Sequence, residues 1–277
     1  MISGLAFLVA VGVAGFAGSA VLSRLLARQP ERLRVALWWL LAVIFAAGCA
    51  WVNGSWPFPP SESQHWIGYV VLFAAFLRSI PFLTAQLISA LASASLGILV
   101  TMLPIAQNGW GHLTFASWFF ASLVSYLMVR LVLQREFETA SMVAASLLAL
   151  PLVVSAGMLF LAGSAMLAEL ALAGGIAVAG AFIAQRSSVL GHGFVEITLL
   201  FHFLLLLNCT IYAHLPPLLA WVQWIVPALV ILVAQALHLQ RIITRRRHYV
   251  ATIAGLGVAE CGVALLFYFM VRQTAMF

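Results

Sequence analysis

The feature that most constrains this chain is a series of apolar runs with very little between them. They lie near 2–23, 35–52, 66–77, 80–103, 114–134, 139–162, 164–185, 189–213, 216–240 and 249–271. A helix crossing bilayer hydrocarbon needs about 20 apolar residues, because each residue adds only 1.5 Å of rise. Ten such helices with short loops use up the 277 residues. Charged residues make up 7% of the chain, against roughly 25% in soluble domains, so water is not its main solvent. The expectation is an all-α, polytopic transmembrane bundle of about 8–10 spanning helices. It forms a single integral membrane domain over 1–277 in a bacterial cell inner membrane, with both termini outside. The run 66–77 is too short to span alone. It crosses only if Ser61 to His65, or the stretch after Arg78, extends it.

The charges are restricted in kind as well as number. All 13 basic residues are Arg and all seven acidic residues are Glu. A chain without Lys cannot form a retinal Schiff base. One without Asp is neither an intramembrane aspartyl protease, an Asp-phosphorylated pump nor an Asp-rich prenyl or phosphoalcohol transferase. The net charge of +6 reads as an orientation signal carried by Arg residues in short loops, not as a nucleic-acid footprint. Counting all ten runs as crossings puts every Arg except Arg272 on one side, which the positive-inside rule makes cytoplasmic. Trp51, Trp56, Trp66, Trp110 and Trp118 then mark the outer headgroup level. The amino end has no basic segment before its apolar run, so a removed signal peptide is not expected.

A charge at the bilayer centre costs about 2.5–3.5 kcal/mol on insertion scales, which makes such residues functional candidates. Glu196 and Glu260 fall near the middle of their runs, and Glu169 nearer an outer end. His192 and Glu196 share a helical face one turn apart, where an imidazole and a carboxylate can pair or hand on a proton. His202 lies on another face of the same run. These three are the proton-coupling candidates, with mutual satisfaction of two polar side chains as the plainer alternative. Haem is not favoured, because His238 and His248 sit at loop boundaries where interfacial placement explains them. No metal spacing occurs, and Cys49, Cys209 and Cys261 read as small buried hydrophobes. Gly12, Gly15 and Gly18, with Gly174, Gly175 and Gly180, permit close helix approach. The run Arg245 to Arg247 reads as a stop signal that also attracts anionic membrane lipid.

Four stretches carry a family resemblance. His65 is followed after about thirteen residues by Arg78, and then by Leu83, Thr84, Ala85, Gln86 and Leu87. Met128, Val129 and Arg130 close the fifth run. Glu260 precedes Phe267 and Tyr268 by seven and eight residues, and Leu219, Ala220 and Trp221 stand upstream. This pattern resembles the membrane-anchor subunit of bacterial dimethyl sulfoxide reductases. The chain departs from it where Trp66 follows His65, where Gln86 replaces an acid, and in lacking the Arg of the family's last helix. The resemblance implies a subunit that oxidises menaquinol or ubiquinol near the outer face and passes electrons to an iron–sulfur partner and onward to a molybdenum catalytic subunit. On that reading His65, Gln86, Arg130 and Glu260 bind the quinol, His65 bonding or accepting a proton from a quinol hydroxyl.

The two topologies conflict. The resemblance puts the segment from His65 to Arg78 at the outer surface, with Arg130 also outside, whereas the charge count puts Arg78 and Arg130 inside. Three functions stay open: the quinol-reactive anchor, a proton-coupled secondary transporter using His192, Glu196 and Glu260, and an accessory membrane protein without chemistry. Transport predicts interrupted helices and a polar cavity at mid-depth.

Overall fold

In a computed structural model the chain forms α1 (Ile2–Leu25), α2 (Pro30–Val52), α3 (Ser63–Ser79), α4 (Gln86–Asn108), α5 (His112–Thr139), α6 (Ser141–Leu161), α7 (Ala165–Ala184), α8 (Gly191–Tyr212), α9 (Pro217–Leu239) and α10 (Arg245–Thr274). The structure describes all residues except 1, 27, 55, 61, 81–85, 109–110, 140, 185–190, 240–244 and 275–277. Side chains are described for the same residues, less 2–5, 30, 86, 107–108, 136–139, 141–145, 238–239, 245–249 and 272–274. No strand occurs among the described residues. Eight of the helices are long and apolar enough to cross a membrane. The chain is therefore an all-α, multi-pass membrane bundle.

Each apolar run becomes one helix, and polar residues at the ends lengthen several of them. Pro30 opens α2, with Glu31 in the first turn, because a missing N–H costs nothing there and a carboxylate favours the positive end of the helix dipole. Arg24, Arg78 and Arg130 lie inside α1, α3 and α5 instead of in loops. Gly163, at φ 89°, makes the turn between α6 and α7. There the Ser164 Oγ accepts a hydrogen bond from the Leu167 N–H at 3.4 Å and caps α7.

α8 is the axis of the bundle. It packs against α2, α3, α4, α5, α6, α7 and α9, and 89% of its spanning window is buried, against 22% for α1. α1 rides on α7, where backbones meet directly. A Cβ on Gly15 would stand 2.7 Å from the Ala177 carbonyl oxygen, and one on Gly180 3.1 Å from that of Gly12. The small-residue pattern thus serves close packing between helices that have no hydrophobic drive to associate in lipid.

The short third helix runs through the bundle. At its start the Ser63 hydroxyl donates to the Asn208 Oδ1 at 2.8 Å. At its end Arg78 stands 3.6 Å from the Glu196 carboxylate. Asn208 and Glu196 are twelve residues apart on α8, roughly 18 Å, and Ser63 and Arg78 fifteen apart on α3, roughly 22 Å. α3 therefore lies antiparallel to α8 over most of its length. Ile67, Val70, Val71, Ala74 and Leu77 face the core along it. Ser63 to His65 supply the extra turn that the apolar run lacked. Arg78 and Arg130 come to rest at one depth, near the end where Arg34 lies beside Gly191. At the opposite end Trp56, Phe58 and Trp66 surround Tyr69, whose hydroxyl donates to the Pro57 carbonyl at 2.6 Å.

Candidate functional site

Burying a polar group in an apolar bundle is costly unless a partner meets it, so its partners show how the sequence arranged that burial. Along α8 the polar groups fall into layers. Nearest its start, Glu196 is buried and its carboxylate is shared among three helices. Arg130 of α5 donates from Nη2 to Oε2 at 3.2 Å. Arg78 of α3 approaches the same oxygen at 3.6 Å. The Ser89 hydroxyl of α4 donates to Oε1 at 3.4 Å. Both guanidinium groups are themselves buried, their side chains 8% and 2% exposed.

Aromatic side chains close this layer. The Trp38 ring of α2 covers the Arg78 guanidinium at 5.5 Å, a cation–π geometry that offsets part of the lost hydration. Gly193 makes room for the Trp38 indole, since any side chain at that position would collide with it. The Tyr126 hydroxyl of α5 reaches the Glu196 backbone carbonyl at 3.5 Å. His192 stands half-buried one turn away.

In the second layer the buried His202 and Ser155 of α6 are hydrogen-bonded at 2.8 Å. The ring of His202 lies 5.8 Å from that of Trp224. A void of about 10 Å³, enough for one water, is lined by Thr198, His202, Trp224 and Pro227 among others. A separate polar knot joins α6, α9 and α10. The Gln223 amide donates to the Glu260 Oε2 at 2.7 Å and to the Pro151 carbonyl at 3.2 Å. Pro227, four residues on from Gln223, removes the helical partner of the Gln223 carbonyl. At the far end Asn208 accepts from Ser63 and donates to Thr101 of α4 at 3.4 Å.

The sequence-derived candidates are thus distributed over different parts of the bundle. Glu196, His192 and His202 share α8, and Arg130 joins Glu196. His65 is thirteen residues before Arg78 on α3, roughly 20 Å along the helix. Its Nδ1 accepts the Glu62 backbone N–H at 3.3 Å, which helps to cap the start of α3. Glu260 belongs to the Gln223 knot. Gln86 opens α4, and its side chain lies outside the described residues, as do those of His238 and His248. His65, Arg130 and Glu260, three of the residues named by the resemblance, are therefore not gathered around one ligand position. The interrupted helices expected of a transporter are also missing where they were sought, because α8 and α10 run unbroken through Glu196 and Glu260. Among the described residues no group of three or more His, Cys, Asp or Glu could hold a metal ion.

Sequence reasoning missed the pairing of Glu196 with Arg78 and Arg130, because both arginines had been counted as orientation signals. One signal was available. Arg130 sits within a helix-length apolar run and Arg78 between two apolar runs, where a lone cation needs an anion. Comparison with protein-family models, with curated proteins and with solved structures returns no match.

Proposed function

We propose that the protein is a proton-coupled secondary transporter of a small solute, acting in a bacterial inner membrane. The observation that carries this reading is the Glu196 carboxylate shared by Arg78 and Arg130 in the bundle core. Three ionisable groups from three helices, buried beside the most enclosed helix, are costly to keep in an apolar medium. A coupling role accounts for that cost. Protonation of Glu196 releases two cations, and either state of the carboxylate favours a different packing of α3, α5 and α8. Pro151 and Pro227 supply the weak points at which α6 and α9 can bend. The test is proton movement in proteoliposomes under an imposed solute gradient, with Glu196→Gln beside the wild type. Solute-dependent proton flux in the wild type, abolished in Glu196→Gln, supports the reading. Flux unchanged by Glu196→Gln overturns it.

The quinol-reactive anchor is kept as a second reading because of one observation. Trp118, Phe203, Trp221 and Trp224 line an apolar crevice of about 20 Å³ between α5, α8 and α9. The buried indole N–H of Trp224 has no hydrogen-bond partner among the described residues. The lining is aromatic, a surface on which a quinone ring would stack if α5 and α9 parted to admit it. Electrons would then pass to an iron–sulfur partner. Quenching of tryptophan fluorescence by a quinol analogue, lost in Trp224→Phe, tests it.

A further inference from the structure

We propose that Glu196 exchanges its proton with water at the Tyr212 end of the bundle along the seam between α3, α4 and α8, and that Leu204 and Val70, packed at Gly97, form the gate of that route. The inference rests on the transport reading and assigns the path its proton takes.

Three helices in register carry it. On α8, Glu196 meets Ser89 of α4 and Arg78 of α3. Twelve residues on, Asn208 meets Ser63 of α3 and also Thr101 of α4, itself twelve residues beyond Ser89. α4 therefore runs parallel to α8 and in step with it, and the two polar layers stand roughly 18 Å apart. The Asn208 layer reaches the surface, because the exposed Tyr212 donates from its hydroxyl to the Thr101 carbonyl at 2.9 Å. One turn from Ser89, the fully buried Ser93 carries the polar face of α4 a step toward that layer, its hydroxyl donating to the Ser89 carbonyl at 2.7 Å. Glu196 is only five residues into α8, roughly 8 Å from the other end, so this seam is its long way out.

Between Ser93 and the Asn208 layer the seam turns apolar. Eight residues from the Glu196 layer along each helix, roughly 12 Å, stand Val70 of α3, Gly97 of α4 and Leu204 of α8. They meet closely: a Cβ on Gly97 would lie 2.9 Å from the Leu204 Cδ2 and 3.2 Å from the Val70 Cγ1. Gly97 supplies a notch, and two aliphatic side chains fill it. A layer of this kind excludes water while it is packed and passes it once the side chains part. Ser122 of α5 lies at the same depth, eight residues before Arg130 and four before Tyr126, both of which reach Glu196. It is fully buried, and its hydroxyl makes no hydrogen bond among the described residues. Water drawn into the layer would give that hydroxyl a partner, which lowers the cost of wetting it. Toward α2 the flank of α8 is shut by aromatic packing instead, with Phe45 stacked on Phe201 at 4.0 Å.

The experiment is thiol modification of the full-length protein in lipid nanodiscs. Cys49, Cys209 and Cys261 are replaced by Ala, and Ser93→Cys places a thiol between the gate and Glu196. The probe is the silver ion, small enough to follow water, and unreacted thiol is counted after denaturation. The expected result is slow reaction with the gate intact. Leu204→Ala speeds it at least about tenfold, because truncation removes much of the packing that holds the layer shut. Val70→Ala gives a smaller gain and serves should Leu204→Ala fold poorly. Leu152→Ala, which truncates an equally buried leucine on α6, leaves the rate unchanged. A rate raised by neither truncation at the gate, or raised as much by Leu152→Ala, overturns the proposal. Failure of the transport reading has its own signature: the gate variants react as described, yet no solute gradient drives protons through the wild type.

Discussion

Two glutamates lie equally deep in this bundle, and their surroundings could hardly differ more. Glu196 and Glu260 are each about 1% exposed. Glu196 meets two guanidinium groups, a hydroxyl and an aromatic lid drawn from four other helices. Glu260 meets one amide, that of Gln223, which also holds a proline carbonyl. A carboxylate between two cations balances their charge, and removing it strands like charges in the core. A carboxylate facing an amide forms part of a hydrogen-bond network whose loss strands only dipoles. The contrast teaches that burial alone does not mark a functional acid. What marks it is whether the surroundings depend on its charge.

This contrast can be broken or sharpened by measurement. Glu196→Ala leaves two buried guanidinium groups without their counter-charge, and a loss of about 3–5 kcal/mol is expected, the largest of any single change considered. Unfolding titrations in mixed micelles report it. Glu260→Ala leaves the Gln223 amide with the Pro151 carbonyl as acceptor, and a smaller loss of about 1–3 kcal/mol is expected in the same titration. Equal losses in the two variants would erase the distinction drawn here. Ser155→Ala, which removes the partner of His202, is expected to cost about 0.5–1.5 kcal/mol. Its effect should be insensitive to salt. Glu31→Ala removes an exposed pair with Arg34 at 2.9 Å and should cost no more than about 0.5 kcal/mol, vanishing at high ionic strength.

The helices were legible because lipid-facing and core-facing residues of a membrane bundle are both apolar. Hydrophobic runs therefore mark each element directly, and all ten became helices. The third run was the difficult one. Its apolar part is short, and only the bond of Ser63 to Asn208 at one end and the approach of Arg78 to Glu196 at the other show that it passes through the bundle. Glu196 was legible as a candidate because an acid amid apolar residues stands out. Its partners were not, since Ser89, Arg130 and Glu196 belong to three separate helices and the sequence carries no record of which helices adjoin.

What the sequence determined by itself is the class of this protein. A chain with 65% hydrophobic residues and 7% charged ones, arranged in runs of helical length, must satisfy its backbone internally, and helices in a membrane do so. What only the tertiary structure decided is the use made of the few charges. Arginines that read as topology signals turned inward because the packing of α3 and α5 against α8 carries them to the Glu196 carboxylate. Pairing across helices depends on depth and neighbourhood, and both arise only when the bundle is assembled.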